Sequence, residues 1–320
     1  MSKLKRSNVW AVAGGKGGVG KSFFSSNLSI DLAQKGHTVV LIDADFGGPN
    51  LHTFFGLSAS KISISDYIYS SQLLLDDILL PTGFRNLKLA SGVSDALDMA
   101  NPNAIQQNKL QRALKTLNTD YIIVDLGAGT SLYTLDLFLA ADKNILVTAP
   151  EPTSMENTYR FIKSAIYRKL KSVIRHPEVR KLLERITENR KEENHRTPAK
   201  LVDDINRINS DAGETLKYEL ASFASKLVVN QVRTPSDVKV GFSMKQACMK
   251  HFGVDLGYVG FIEYDVSVLQ SIRVRKPVIV HSPKSIASQS IRKIAQNIRR
   301  NFHLVVFPKI GRDDGFRPYS

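Results

Sequence analysis

The segment Gly15-Lys16-Gly17-Gly18-Val19-Gly20-Lys21-Ser22 satisfies G-x-x-x-x-G-K-[ST], and it stands between an apolar run, Val9-Trp10-Ala11-Val12, and a helix-spaced stretch. That stretch runs from Ser22 to Gln34 and is closed by Gly36. Glycines at this spacing let successive backbone N–H groups turn toward one anion, and the following helix adds the positive end of its dipole. The order strand, loop, helix restricts the chain to a sheet covered by helices. Lys21 then neutralises β/γ-phosphate charge and the Ser22 hydroxyl faces Mg²⁺, while Gly15 through Ser22, with Phe23 behind them, line a bound nucleotide.

Further short apolar runs occur at Thr38–Ile42, Leu87–Ala90, Tyr121–Val124, Asn144–Val147 and Lys226–Val229. They read as strands buried on both faces. Helical spacing between them, as from Asn103 to Leu117, predicts an α/β fold with a mostly parallel, doubly wound sheet. Residues 1–302 read as a single domain. A charged, strand-poor stretch at about 168–221 interrupts the rhythm and reads as a helical insertion. Val179, Leu182, Leu183 and Ile186, then Leu201, Ile205 and Ile208, predict two amphipathic helices around a polar bend at Asn189–Arg196. Residues 303–320 read as a loosely ordered tail.

Composition narrows the setting. No apolar stretch approaches a membrane span and no signal core follows Met1, so a cytoplasmic protein is expected. The single cysteine, Cys248, excludes a disulfide or a Cys-x-x-Cys pair within one chain. The net charge of +14 is regional: residues 160–200 hold 13 Lys and Arg against 5 Asp and Glu, and residues 271–320 hold 11 against 2. Such concentration suits an anionic polymer or lipid surface, although a solvated helix face explains a single run equally well.

Two more strand ends carry acids. The second run leads into Asp43-Ala44-Asp45-Phe46-Gly47-Gly48-Pro49-Asn50, whose carboxylates at i and i+2 point the same way. One can serve a metal shell while the other orients an attacking water. The Tyr121–Val124 run ends in Asp125-Leu126-Gly127-Ala128-Gly129-Thr130, where the acid occupies a Walker B type position.

With its second lysine, Lys16-Gly17-Gly18-Val19-Gly20-Lys21-Ser22 closely resembles the deviant Walker A motif of the MinD/ParA family. The resemblance implies a SIMIBI-type P-loop NTPase that binds ATP and Mg²⁺ and forms an ATP-dependent homodimer. In it, Lys16 reaches the facing subunit's nucleotide, Asp45 activates water, and Ser22, Asp43 and Asp125 form the Mg²⁺ site. Lys16, Lys21 and Asp45 are thus the implied catalytic residues. Asn230 matches the family's adenine-contacting asparagine, and Gly260-Phe261-Ile262-Glu263-Tyr264-Asp265 corresponds to a base-side loop in which Glu263 replaces a proline and Asp265 is kept.

The form D-x-G-A-G at Asp125 and the segment Pro150-Glu151-Pro152-Thr153-Ser154 resemble the flagellar-number regulators FlhG/FleN. A spatial or numerical regulator with an activating protein partner is therefore the leading expectation. Only about eight residues precede the first strand, so the N-terminal activator helix of those regulators is not expected. The alternative is a ParA-like ATPase whose basic segments hold nonspecific DNA. An Mrp-type iron–sulfur carrier needs a cysteine pair that Cys248 cannot supply. A C-terminal membrane anchor is not expected either, because Ser285–Phe302 reads as the last core helix.

Overall fold

Runs such as Tyr121–Val124 have no polar side to offer water, and they lie side by side in one eight-stranded sheet. A computed structural model describes residues 6–58, 60, 62–92, 104–174, 177, 179–181 and 197–304. Its strands are β1 (Asn8–Ala13), β2 (Val39–Ala44), β3 (Leu79–Pro81), β4 (Leu87–Ala90), β5 (Tyr121–Leu126), β6 (Lys143–Thr148), β7 (Ser225–Val232) and β8 (Leu256–Glu263). Their order is β3-β4-β2-β5-β1-β6-β7-β8, parallel throughout except for β3 against β4. The fold is the mostly parallel α/β sheet that the alternation of runs predicts.

Helices cover both faces. They are α1 (Lys21–Gln34), α2 (Leu51–Phe54), α3 (Ile64–Tyr69), α4 (Ala104–Thr116), α5 (Leu132–Ala140), α6 (Pro152–Val173), α7 (Pro198–Ile208), α8 (Ser210–Ala221), α9 (Pro235–Phe252), α10 (Val266–Arg273), α11 (Val278–His281) and α12 (Ile286–Arg300). On one face Trp10, Phe24, Leu28 and Ile145 pack with Ile291, Ile294 and Ile298 of α12. On the other, Phe138 of α5 meets Phe161 of α6 edge to face at 5.0 Å, above Ile122 and Leu146. Burying rings and branched chains of this size contributes about 1.5–3 kcal/mol each, so both layers are firmly held.

Four expectations need correction. The sequence reading has no strand at β3, which is only three residues long. It also treats Gly260–Asp265 as a loop, whereas Gly260–Glu263 is the end of β8. Gly257 and Gly260 interrupt that apolar run for a steric reason: a Cβ on Gly257 would lie 2.5 Å from His303 Nε2, and one on Gly260 would lie 2.6 Å from Ile294 Cγ1. Helix α6 runs unbroken past residue 168, where the insertion was expected to begin, and Arg168 grips Asp136 of α5 through two 2.7 Å hydrogen bonds. Within the insertion α7 buries Leu201, Val202 and Ile205, but Ile208 is exposed at its end. Val179 is buried, while Leu182, Leu183, Ile186, the bend at 189–196 and residues 305–320 lie outside the described residues. Cys248 is buried in α9. Among the described residues no helix is long and apolar enough to cross a membrane.

Candidate functional site

Strand order brings the predicted loops together. Strand β1 lies between β5 and β6, and β5 lies beside β2, so the loops after β1, β2, β5 and β6 share one edge of the sheet. The carboxyl edge of a parallel sheet is where such folds bind ligands.

The loop after β1 enters α1 through Gly18 and Gly20, whose φ values of 80° and 92° lie in the left-handed region that favours glycine. Gly20 is the N-cap of α1, and its neighbour Lys21 is buried against the loop. Gly15 presses on α6: a Cβ there would come within 2.1 Å of the Asn157 carbonyl carbon. The loop is therefore wedged between α1 and α6, with its amides free to face an anion.

Asp43 and Asp125 are direct partners in the β2–β5 register. Both are almost fully buried. Asp43 accepts from the Asp45 N–H at 3.3 Å and the Leu51 N–H at 3.0 Å. Asp125 Oδ1 accepts from the Ser25 hydroxyl at 2.8 Å, while its Oδ2 is buried without a hydrogen-bond partner. Burial, and then repulsion from Asp125, raise the Asp43 pKa to about 8. Burial raises that of Asp125 to about 6, against the opposing influence of Ser22, Ser25 and Lys21.

An orphaned carboxylate oxygen beside a serine hydroxyl and a second carboxylate is a hard, all-oxygen donor set of the kind Mg²⁺ takes when phosphate oxygens complete its shell. No self-sufficient cluster of three or more His, Cys, Asp or Glu side chains exists among the described residues. The donors present therefore fit a metal carried in with a nucleotide.

These shifts give a pH expectation. Because the folded-state pKa values are raised, the folded protein holds protons that the unfolded chain releases, and this contribution to stability shrinks as pH rises from about 4 toward 8. A cation at the site requires both carboxylates ionised. Affinity for Mg²⁺–ADP should therefore rise between pH 6 and 8, by up to about tenfold per pH unit for each proton displaced. Calorimetric titration at pH 6, 7 and 8 checks this, and a flat or falling affinity contradicts it.

Asp45 lies against Gly127. Its Oδ1 accepts from the Gly47 N–H at 3.2 Å and lies 3.1 Å from where a Gly127 Cβ would be. The adjacent Phe46 packs on Tyr133 of α5 with ring centroids 5.0 Å apart. Lys16 takes a different direction from Lys21: its side chain is 45% exposed, with Nζ 3.3 Å from Thr153 Oγ1 and 3.8 Å from Glu151 Oε2.

A cleft of about 520 Å³ runs from Gly17, Gly18, Gly20, Lys21 and Ser22 past Asp45 and Asn50 to Asn230 and Asp265. Phe54, Ile262, Val268, Leu269 and Ile272 give its far end flat apolar cover suited to a base. Asn230 is buried at the end of β7 and donates from Nδ2 to the Val19 carbonyl at 2.9 Å. Asp265 lines the cleft, but its carboxylate caps α10: Oδ1 accepts from the Ser267 N–H at 2.9 Å and from the Ser267 hydroxyl, and Oδ2 accepts from the Ala287 N–H at 3.1 Å. Burial raises its pKa, and these bonds together outweigh that and lower it. Glu263 and Tyr264 occupy the same wall, with Arg233 stacked 3.9 Å from the Tyr264 ring centroid.

Sequence reasoning missed Ser25, Gln231 and the apolar side chains of α10. Ser25 had a signal, being one helical turn beyond Ser22 on the same face. Gln231 had none.

The ParA family model, described as NUBPL iron-transfer P-loop NTPase, matches residues 5–174. The antiactivator FleN of Pseudomonas aeruginosa is 28% identical over 302 residues, covering 93% of this chain and 88% of that protein. The flagellum site-determining protein YlxH of Helicobacter pylori is 28% identical over 298 residues, covering 89% and 79%. Among solved structures, the septum site-determining protein MinD of Pyrococcus horikoshii, complexed with Mg-ADP, superposes with a TM-score of 0.60 at 19% identity, covering 92% of this chain and 97% of that one. A chain of the MinC:MinD cell division protein complex of Aquifex aeolicus gives 0.60 at 20% identity, covering 96% and 100%. The family match takes in the phosphate loop and both acidic strand ends, and the chain belongs to the MinD/ParA family of P-loop ATPases.

Proposed function

We propose that this ATPase hydrolyses ATP slowly and uses it to switch between a monomer and an ATP-bound sandwich dimer, acting as a spatial or numerical regulator of the FlhG/FleN kind. The observation that carries this reading is the direction of Lys16. A lysine serving its own phosphates is drawn inward, as Lys21 is, yet Lys16 is exposed at the lip on light contacts with Thr153 and Glu151. Exposed pairs of this kind contribute only about 0–1 kcal/mol, so the ammonium is easily released to a facing nucleotide.

In the proposed cycle Lys21 and the loop amides hold the phosphates of ATP. Ser22, Asp43 and Asp125 hold Mg²⁺, which neutralises phosphate charge when bound. Asp45, at the cleft and close against Gly127, orients the attacking water. Its place at the start of the Asp45–Asn50 loop lets hydrolysis loosen the segment that senses the γ-phosphate. FleN and YlxH, which align with this chain over most of its length, support the flagellar assignment. Deleting the gene in its source organism should change flagellar number or placement, and unaltered flagella would count against that assignment.

A second reading is favoured by one segment. Residues 266–304 hold eight Lys and Arg and no Asp or Glu, and Arg273, Arg275, Lys276, Lys284, Lys293, Arg299 and Arg300 are exposed. Such a basic, exposed segment suits a ParA-like DNA-binding dimer. If it contacts six or more phosphates, affinity for duplex DNA falls about a thousandfold between 50 and 200 mM salt, and only with ATP present. Fluorescence anisotropy checks this, and salt-insensitive or absent binding removes the reading.

A further inference from the structure

We infer that Gln231, together with Asn230, is a positioning residue that sets the direction of the phosphate-loop amides. This rests on the loop being the nucleotide's phosphate site. The inference starts from an irregularity in β7. Its register against β8 shifts between Val229 and Val232, so Asn230 and Gln231 bulge out of the ladder. Gln231 has φ of 61°, a left-handed conformation that few side chains adopt without strain. Bulges and strained backbone of this kind gather next to active sites, where they re-aim side chains.

Here the bulge turns two consecutive carboxamides onto the phosphate loop. Asn230 Nδ2 donates to the Val19 carbonyl at 2.9 Å, and Gln231 Nε2 donates to the Gly18 carbonyl at 3.3 Å. The approach is close enough that a Cβ on Gly20 would lie 2.2 Å from Asn230 Nδ2.

Peptide planarity converts these contacts into chemistry. In a trans peptide the carbonyl of one residue and the N–H of the next point in opposite directions. Holding the Gly18 carbonyl outward therefore holds the Val19 N–H on the opposite side, and holding the Val19 carbonyl does the same for the Gly20 N–H. Phosphate binding by a glycine-rich loop requires those N–H groups to converge on the anion. A peptide free to flip would present a carbonyl to the phosphate instead. Glycine makes such flips easy, because Gly18 leaves ψ free at the start of the Gly18–Val19 peptide and Gly20 accepts either sign of φ at the end of the Val19–Gly20 peptide. The two carboxamides remove that freedom where the loop has most of it.

The test uses the full chain, two variants of Gln231 and a ligand that lacks the base. Gln231→Gly removes the donor but suits the left-handed backbone, so the unfolding temperature of the nucleotide-free protein should not fall. Gln231→Met keeps the side chain's length without the donor. Each variant should bind ATP about five- to tenfold more weakly, the weight of one lost hydrogen bond to a preorganised loop. Inorganic tripolyphosphate, competing against a fluorescent ATP analogue, should lose affinity by the same factor, because the defect lies at the phosphates. Tripolyphosphate binding that is unchanged while ATP binding drops would place Gln231 at the base and overturn the inference. Unchanged affinity for both ligands in both variants would overturn it too. Weaker binding that appears only alongside a matching drop in unfolding temperature would make Gln231 merely structural. Failure of the wild type to bind either ligand would instead remove the phosphate-site reading itself.

Discussion

Asp45→Ala is expected to slow ATP hydrolysis about a thousandfold, some 4 kcal/mol of transition-state stabilisation, while leaving ATP affinity within about threefold of the wild type. The asymmetry follows from where Asp45 sits. Among the described residues its carboxylate accepts only the Gly47 N–H, and it faces the cleft beside Gly127, so its removal disturbs little of the resting structure. Asp43 and Asp125, by contrast, are buried and bound up with the Leu51 and Asp45 N–H groups and the Ser25 hydroxyl. Without hydrolysis the ATP state persists, and the variant should accumulate as a dimer at saturating ATP. Single-turnover hydrolysis and light scattering check the two parts separately. A variant that hydrolyses at the wild-type rate, or stays monomeric with ATP bound, contradicts the role given to Asp45.

Lys16→Ala should act on assembly rather than on folding or on nucleotide binding. In the monomer Lys16 makes one 3.3 Å hydrogen bond and one 3.8 Å ion pair at the surface, so the unfolding temperature should hardly move. Across a closed interface, a lysine on a desolvated phosphate is worth about 2–5 kcal/mol, and its loss should weaken ATP-dependent dimerisation roughly thirtyfold or more. Lys21→Ala is the contrasting change, because Lys21 is buried inside its own loop and its loss should remove nucleotide binding outright. Sedimentation velocity with ATP and with ADP separates the two lysines.

Much of this site was legible before any coordinates. Phosphate chemistry at Gly15–Ser22 depends on local backbone freedom, which the glycine spacing states directly, and Asp43 and Asp125 announce themselves as acids ending apolar strands. The six longer apolar runs became strands because parallel strands buried on both faces leave an uninterrupted hydrophobic record. The glycines that hid β8 obey a tertiary requirement, room for His303 and Ile294, that no local pattern displays. Gln231 was invisible for the same reason. Its partner Gly18 is distant in sequence, and the bulge that aims it exists only in the pairing of β7 with β8. At Asp265 the residue was legible but its use was not, since capping α10 and holding Ala287 depend on where α12 begins.

The central claim is that each nucleotide is served by Lys16 of the facing subunit, and mixing two inactive variants tests it most directly. In a two-fold dimer of Lys16→Ala with Asp45→Ala, one site combines an intact Asp45 with the partner subunit's intact Lys16, while the other site lacks both. An equimolar mixture should therefore regain up to about a quarter of the wild-type ATPase rate, since about half of the dimers are mixed and each has one complete site. A mixture whose rate is no more than the average of the two variants alone would contradict service in trans and return Lys16 to its own subunit's loop.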